Sequence, residues 1–157
     1  GFLHKTYTAI YLFITRNAQF ISATVIRGTE GGIIPSLRQT GKVHFYHSAG
    51  EQDDSYDVTP DELGIVQSSR AVDIPEEITR KNTKDKIESK VDAVDIAKET
   101  IKSGISALSG NDGPMLSCIQ LGAAIVLQRA TGDDLDNCSK EVLRVLKSGA
   151  ALKRMKR

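Results

Sequence analysis

The chain has no tryptophan, and four tyrosines and four phenylalanines make aromatics only 5% of its residues, so any core must be aliphatic. Its two cysteines, Cys118 and Cys138, are too few for the disulfide framework of a small secreted domain. That usage fits a reducing compartment, and cytoplasmic is the expected location. No apolar run nears the roughly 20 residues that cross a bilayer. The longest, Ala9 to Ile14 and Cys118 to Leu127, have the size of core segments. The start lacks a basic stretch leading into an apolar run and a small-residue cleavage site, so export is not indicated. Instead the chain opens Gly1-Phe2-Leu3-His4 without an initiator Met, which suits a cleaved tag or the back part of something longer. An excess of charge is also missing, with 21 Lys+Arg against 20 Asp+Glu in 157 residues. At 39% hydrophobic and 26% charged, the composition excludes disordered and low-complexity classes and suits one globular domain.

Balanced charge conceals segregation. Residues 1–50 carry Lys5, Arg16, Arg27, Arg38 and Lys42 against Glu30 alone, together with His4, His44 and His47. Residues 51–78 hold nine acids against Arg70, and residues 140–157 hold seven bases against Glu141. Such asymmetry permits a basic face that steers a polyanion, although charge alone favours the plainer reading of a solvated surface and a frayed tail.

Tyr7, Ile10, Tyr11 and Ile14, broadened by Phe13, predict an amphipathic helix from about Thr6 to Asn17. Ile21 to Arg27 is short, β-branched and stopped by Gly28, as a strand covered on both faces would be. A glycine-rich loop follows through Gly31 and Gly32. Lys42 to His47 alternates as a strand, with Ser55 to Thr59 as its hairpin partner. Thr59-Pro60-Asp61-Glu62 starts a single helical turn, with Thr59 as hydroxyl N-cap and Gly64 as the stop. Residues 66–90 are polar and read as a surface excursion. Three helices occupy 91–152. The first carries the stripe Val91, Val94, Ile101, Ile105 and Leu108, with Ile96 and Ala97 beside it. The second, Met115 to Ala130, is apolar nearly all round and should lie at the domain centre. The third has the stripe Leu135, Cys138, Val142, Val145 and Leu146. Residues 153–157 form a basic tail. The expected fold is therefore α/β: two to three strands in residues 1–65, then three packed helices.

The chemistry-bearing residues mostly have structural readings. His44 and His47, three apart on a strand, project to opposite faces, which is poor geometry for a metal with or without His4. Cys118 and Cys138 sit in helical stripes as small hydrophobes. Ser36, Ser48 and Ser117 lack a Gly-x-Ser-x-Gly elbow. The acids Glu51 to Asp57 miss the EF-hand spacing.

Four segments resemble the C-terminal part of anthranilate phosphoribosyltransferase-like proteins (glycosyl transferase family 3). They are Val25 to Gly32, Tyr56 to Ile65, Leu121-Gly122-Ala123-Ala124 and Leu146 to Leu152, in the family's order. Ile33-Ile34-Pro35-Ser36-Leu37-Arg38 is closer to a divergent branch associated with nucleic-acid binding. The resemblance implies the C-terminal part of a phosphoribosyltransferase-like α/β domain, without the family's small helical domain or its Gly-Thr-Gly-Gly-Asp substrate loop. It also implies a homodimer for a full-length parent. Aligned through Gly28 and Gly31, the sequence carries Ile33 and Ile34 where the enzymes carry the Asp-Glu pair that holds magnesium. Isoleucine offers no oxygen to a hard cation, so no cofactor and no catalytic residue are expected here.

The expectation that follows is a non-catalytic relative that binds nucleic acid through phosphates, with no membrane partner. Backbone N–H groups at Gly28, Gly31 and Gly32 would approach a phosphate, and Arg27, Arg38, Lys42, Lys153 and Arg154 would supply charge. Lys5 would lie near the family's substrate cleft. The alternatives are a phosphoribosyltransferase acting on phosphoribosyl pyrophosphate, whose catalytic half is not in this chain, or a unit used only for packing or oligomerisation. A partial α/β sheet should also show self-association or an incomplete sheet.

Overall fold

Alternation at Lys42 to His47 produces the middle strand of an antiparallel sheet in the computed structural model, which describes residues 7–27, 30, 34–47, 54–73, 75 and 93–156. Strand β1 is Ser22–Arg27, β2 is Gly41–His47 and β3 is Asp54–Val58, in the order β1-β2-β3. Helix α1 is Thr8–Asn17, and a 3-10 turn spans Pro60–Leu63. Helices α2 (Ala93–Leu108), α3 (Pro114–Thr131), α4 (Leu135–Lys147) and α5 (Ala150–Met155) follow. The protein is a mixed α/β domain. The C-terminal part has four helices rather than three, because the chain turns at Gly149, with φ 70°, and resumes helix through the expected basic tail. Val91 and most of the excursion, 74 and 76–90, lie outside the described residues.

Register sorts the sheet into two faces. Ile26 pairs with Val43 and Val43 with Tyr56, so these three share one face, while Val25 pairs with His44 on the other. The first face packs on α3 through a core of Leu37, Val43, Val58, Leu63, Ile65, Leu121 and Ile125. Phe45 stacks on Tyr56 there, at 5.0 Å between ring centroids, and the Tyr56 hydroxyl donates to Gln128 Oε1 at 2.5 Å. Val25 is buried on the second face, and α1 lies against β1 and β2.

A second core joins the helices through Ala107, Leu116 and Leu146, with Ile119, Val142 and Ala151 against it. Helix α3 supplies Leu116 to this core and Leu121 and Ile125 to the other, which is the physical content of its all-round apolar sequence. Its centre is buried, each large side chain contributing about 1.5–3 kcal/mol. Its outer side is not: Val126 is exposed, and Ala123 and Leu127 line an apolar groove of about 360 Å³ with Leu108, Val142 and Val145.

Caps differ in chemistry from element to element. Asp134 caps α4, its carboxylate accepting from the Asp136 and Asn137 N–H groups. Thr59 does not cap the 3-10 turn as its sequence position suggests. Its hydroxyl bonds the Thr40 hydroxyl at 3.1 Å, tying the entry to β2 to the exit from β3, and Pro60 alone presets the turn.

Helices α1 and α2 face the opposite way from their apolar patterns. In α1 the inward residues are Thr8, Leu12 and Thr15, and Tyr7, Ile10, Tyr11, Phe13 and Ile14 are exposed. In α2 the buried residue is Ala107, while Val94, Ile101 and Ile105 point outward.

Candidate phosphate-binding surface

The antiparallel meander changes how the basic residues meet. In parallel sheets ligands gather at the strand carboxyl ends, because all strands finish at one edge. Here the carboxyl end of β1 lies beside the amino end of β2, and Arg27 pairs directly with Lys42, which pairs in turn with Asp57. The three therefore form one rung on a single face. Lys42 Nζ is 3.3 Å from Asp57 Oδ1, so β3 answers one of the two adjacent positive charges. Arg27 makes no ion pair with a described residue. Gly28, Gly31 and Gly32, expected to offer backbone N–H groups, lie outside the described residues, as do Lys5 and Ile33.

Arg38 is committed elsewhere. Its Nε and Nη2 both bond Glu30 Oε1, at 2.8 and 2.6 Å, and its Nη1 donates to the Ser68 carbonyl at 3.0 Å. Glu30 sits in the left-handed backbone region, at φ 51°, and takes a further bond from Ser36 Oγ at 2.5 Å on its second oxygen. Arg38, and then Ser36, hold the Glu30 carboxyl below its ordinary range. Arg38, expected as a phosphate contact, is thus already engaged within the chain: Nε and Nη2 hold Glu30, and Nη1 holds the Ser68 carbonyl. A phosphate would have to displace a charge-assisted fork.

The same geometry bears on magnesium. Glu30 is the only carboxylate between Gly28 and Arg38, and both its oxygens are engaged by this chain's own donors. Ile34 is exposed and apolar. These residues do not fit a magnesium site, and among the described residues no three His, Cys, Asp or Glu side chains gather as one.

The C-terminal bases divide into two sets. Lys140 pairs with Asp136 (2.5 Å), Arg144 with Glu141 (2.6 Å) and Lys147 with Asp112 (2.6 Å). Lys153, Arg154 and Lys156 close α5, are all exposed and make no ion pair with a described residue. Cations there also complement the carbonyl end of the helix. Helix α5 packs on α4 and α2, so this cluster belongs to the helical part, and the rung of Arg27 and Lys42 belongs to the sheet.

Arg70 escaped notice in the sequence, where it is only a lone base in an acidic stretch. Its carbonyl accepts from the Leu37 N–H at 2.8 Å, and its Nη1 is buried with no hydrogen-bond partner among the described residues. It backs a cleft of about 350 Å³ lined also by Ile34, Thr100, Ser103, Met115 and Cys118. Asp73 and Glu99 line the same cleft, so its charge does not single out an anion. Burial raises the Cys118 thiol above its usual range, which keeps it protonated and unreactive. Burial likewise pushes Tyr56 up to about 12, so it acts as a neutral hydrogen-bond donor. Ser36 and Ser117 serve structure, Ser117 Oγ accepting from Gln67 Nε2 at 3.0 Å. Among the described residues no helix is long and apolar enough to cross a membrane.

No protein-family model matches the sequence, and no curated protein is significantly similar to it.

Proposed function

We propose that this chain is a non-catalytic relative of the anthranilate phosphoribosyltransferase-like proteins that binds the phosphate backbone of nucleic acid. One observation carries the reading: Lys153, Arg154 and Lys156 are exposed and make no ion pair with a described residue, while the bases of α4 are each paired with an acid. Arg27, beside Lys42, is a second and weaker contact. Loss of catalysis is supported by the Glu30 carboxylate, which Arg38 and Ser36 occupy, and by Ile34. A cytoplasmic setting agrees with the two free thiols. Contacts of this kind read charge and spacing rather than base sequence.

Fluorescence anisotropy tests it, with a labelled single strand of about 20 nucleotides titrated at about 50 and 200 mM salt. Binding should weaken with salt. The variant combining Lys153→Gln, Arg154→Gln and Lys156→Gln should flatten the logarithmic salt slope by about 2, at roughly 0.7 per contact. Absence of affinity at the lower salt, or an unchanged slope in the variant, refutes the proposal.

A further inference from the structure

The outward side of α1 is the least expected surface of the molecule. Tyr7, Ile10, Tyr11, Phe13, Ile14, Phe20 and Ile21 are between 39% and 76% exposed, and they lie in one stretch that leads directly into β1. Thr15, by contrast, is the buried residue of α1, and its hydroxyl bonds the Leu12 carbonyl at 2.8 Å, inside the helix itself. The helix thus turns its polar side to the sheet and its apolar side to water. Burial of apolar surface is the main favourable term in folding and association, so a single chain leaves this face at a cost.

We propose that the α1 face is the contact between two copies of this chain. At the usual full areas of these seven side chains, their exposed fractions leave roughly 800 Å², the amount one partner brings to a stable interface. The charge pattern selects the occupant. From Tyr7 to Ile26 the sequence has one charged side chain, Arg16, so a strongly acidic or basic partner finds nothing to recognise. A near-neutral apolar face is instead complementary to itself, as a twofold interface requires. A twofold axis across the middle of α1 sets Ile10, Phe13 and Ile14 against their copies and keeps the two Arg16 residues at opposite ends. Strand β1 follows this stretch directly in sequence. Among the described residues β1 pairs only with β2, and it carries no charge before Arg27, whereas the outer strand β3 carries Asp54 and Asp57. Charges of that kind discourage edge pairing, and β1 lacks them. This proposal is independent of nucleic-acid binding.

Sedimentation velocity of the 157-residue chain across roughly 1–100 μM tests it, that being the range of moderate protein–protein affinities. The chain should sediment as a dimer. The double variant Ile10→Glu/Phe13→Glu should raise the dissociation constant at least 100-fold and leave the far-ultraviolet circular dichroism and the unfolding midpoint of the monomer unchanged. Ile21→Glu, in the loop before β1, provides the same reading without touching a helix. Val126→Glu, on the exposed side of α3, should leave the dimer intact. A monomer at every concentration overturns the proposal. So does a dimer that survives both α1-side variants, one that Val126→Glu dissolves, or open-ended growth beyond two copies.

Discussion

Helices α1 and α2 expose most of the apolar side chains that define them, and helices α3 and α4 bury theirs. Helix α4 sinks Cys138, Ser139 and Leu146, and α3 sinks Leu116, Leu121, Ala124 and Ile125. Helix α1 sinks only Thr15, and α2 only Ala107. Spacing alone does not separate the pairs, since all but α3 carry a stripe at three- and four-residue intervals. Position in the layers does. Helix α3 stands between the sheet and the other helices, and α4 packs along it, so both have neighbours on the side their sequences prepare. Among the described residues α1 packs on the sheet, and α2 meets α3, α4 and α5 through the side that carries Ala107.

The largest effect expected from this contrast is at Leu121. Leu121→Ala should cost about 2–5 kcal/mol in urea unfolding, because a residue 1% exposed leaves a cavity between sheet and helix. The parallel truncation Ile101→Ala on α2, where the side chain is 62% exposed, should cost no more than about 0.5 kcal/mol. Equal losses at the two sites would mean that α2 is covered in solution. Next in size is Gly110, which closes α2 at φ 87° against the end of α4. A Cβ there would stand 3.0 Å from the Leu146 carbonyl oxygen and 3.0 Å from Lys147 Cα, both backbone atoms unable to swing aside. Gly110→Ala should lower stability by roughly 1–3 kcal/mol in thermal unfolding, and a loss confined to a few tenths would show that α4 can retreat.

The smallest effect is a pH dependence. The Glu30 carboxyl is held below its ordinary value of 4.5, chiefly by Arg38. Its contribution is therefore complete above that value and is lost as pH falls through the lower folded one. Urea midpoints of the wild type should drop on acidification below about pH 4.5, and Glu30→Gln should abolish that part of the drop while lowering the midpoint at neutral pH. An identical acid profile in the variant would remove Arg38 from the role given to it here.

Local grammar made most of the elements legible. Gly28, Pro60, Gly64, Pro114, Gly132 and Gly149 mark boundaries, and strands and helices fall within a few residues of where those markers place them. Burial was less legible, because a stripe declares a face and only the packed chain says what covers it. Tyr7 to Ile14 reads the same whether that side meets a sheet or water. The clamp of Arg38 was hidden for a related reason. Glu30 and Arg38 stand eight residues apart across a turn at positive φ, and nothing in their spacing brings them together. The antiparallel order left a signal in the sequence: Gly28 to Thr40 holds glycines and Pro35 but no helical pattern, and a parallel neighbour needs a crossover, usually a helix. Charge counts could not tell Lys147, paired to Asp112, from Lys153, which makes no ion pair with a described residue.

Because α3 belongs to both cores, neither half has a boundary at which it can come apart alone. Loosening the sheet strips Leu121 and Ile125 of their cover, and loosening the helices strips Leu116 on the same rod, so damage at either end is felt at the other. Unfolding should then be a single cooperative event, and the backbone amides midway along α3 should be the last to surrender their protons to solvent.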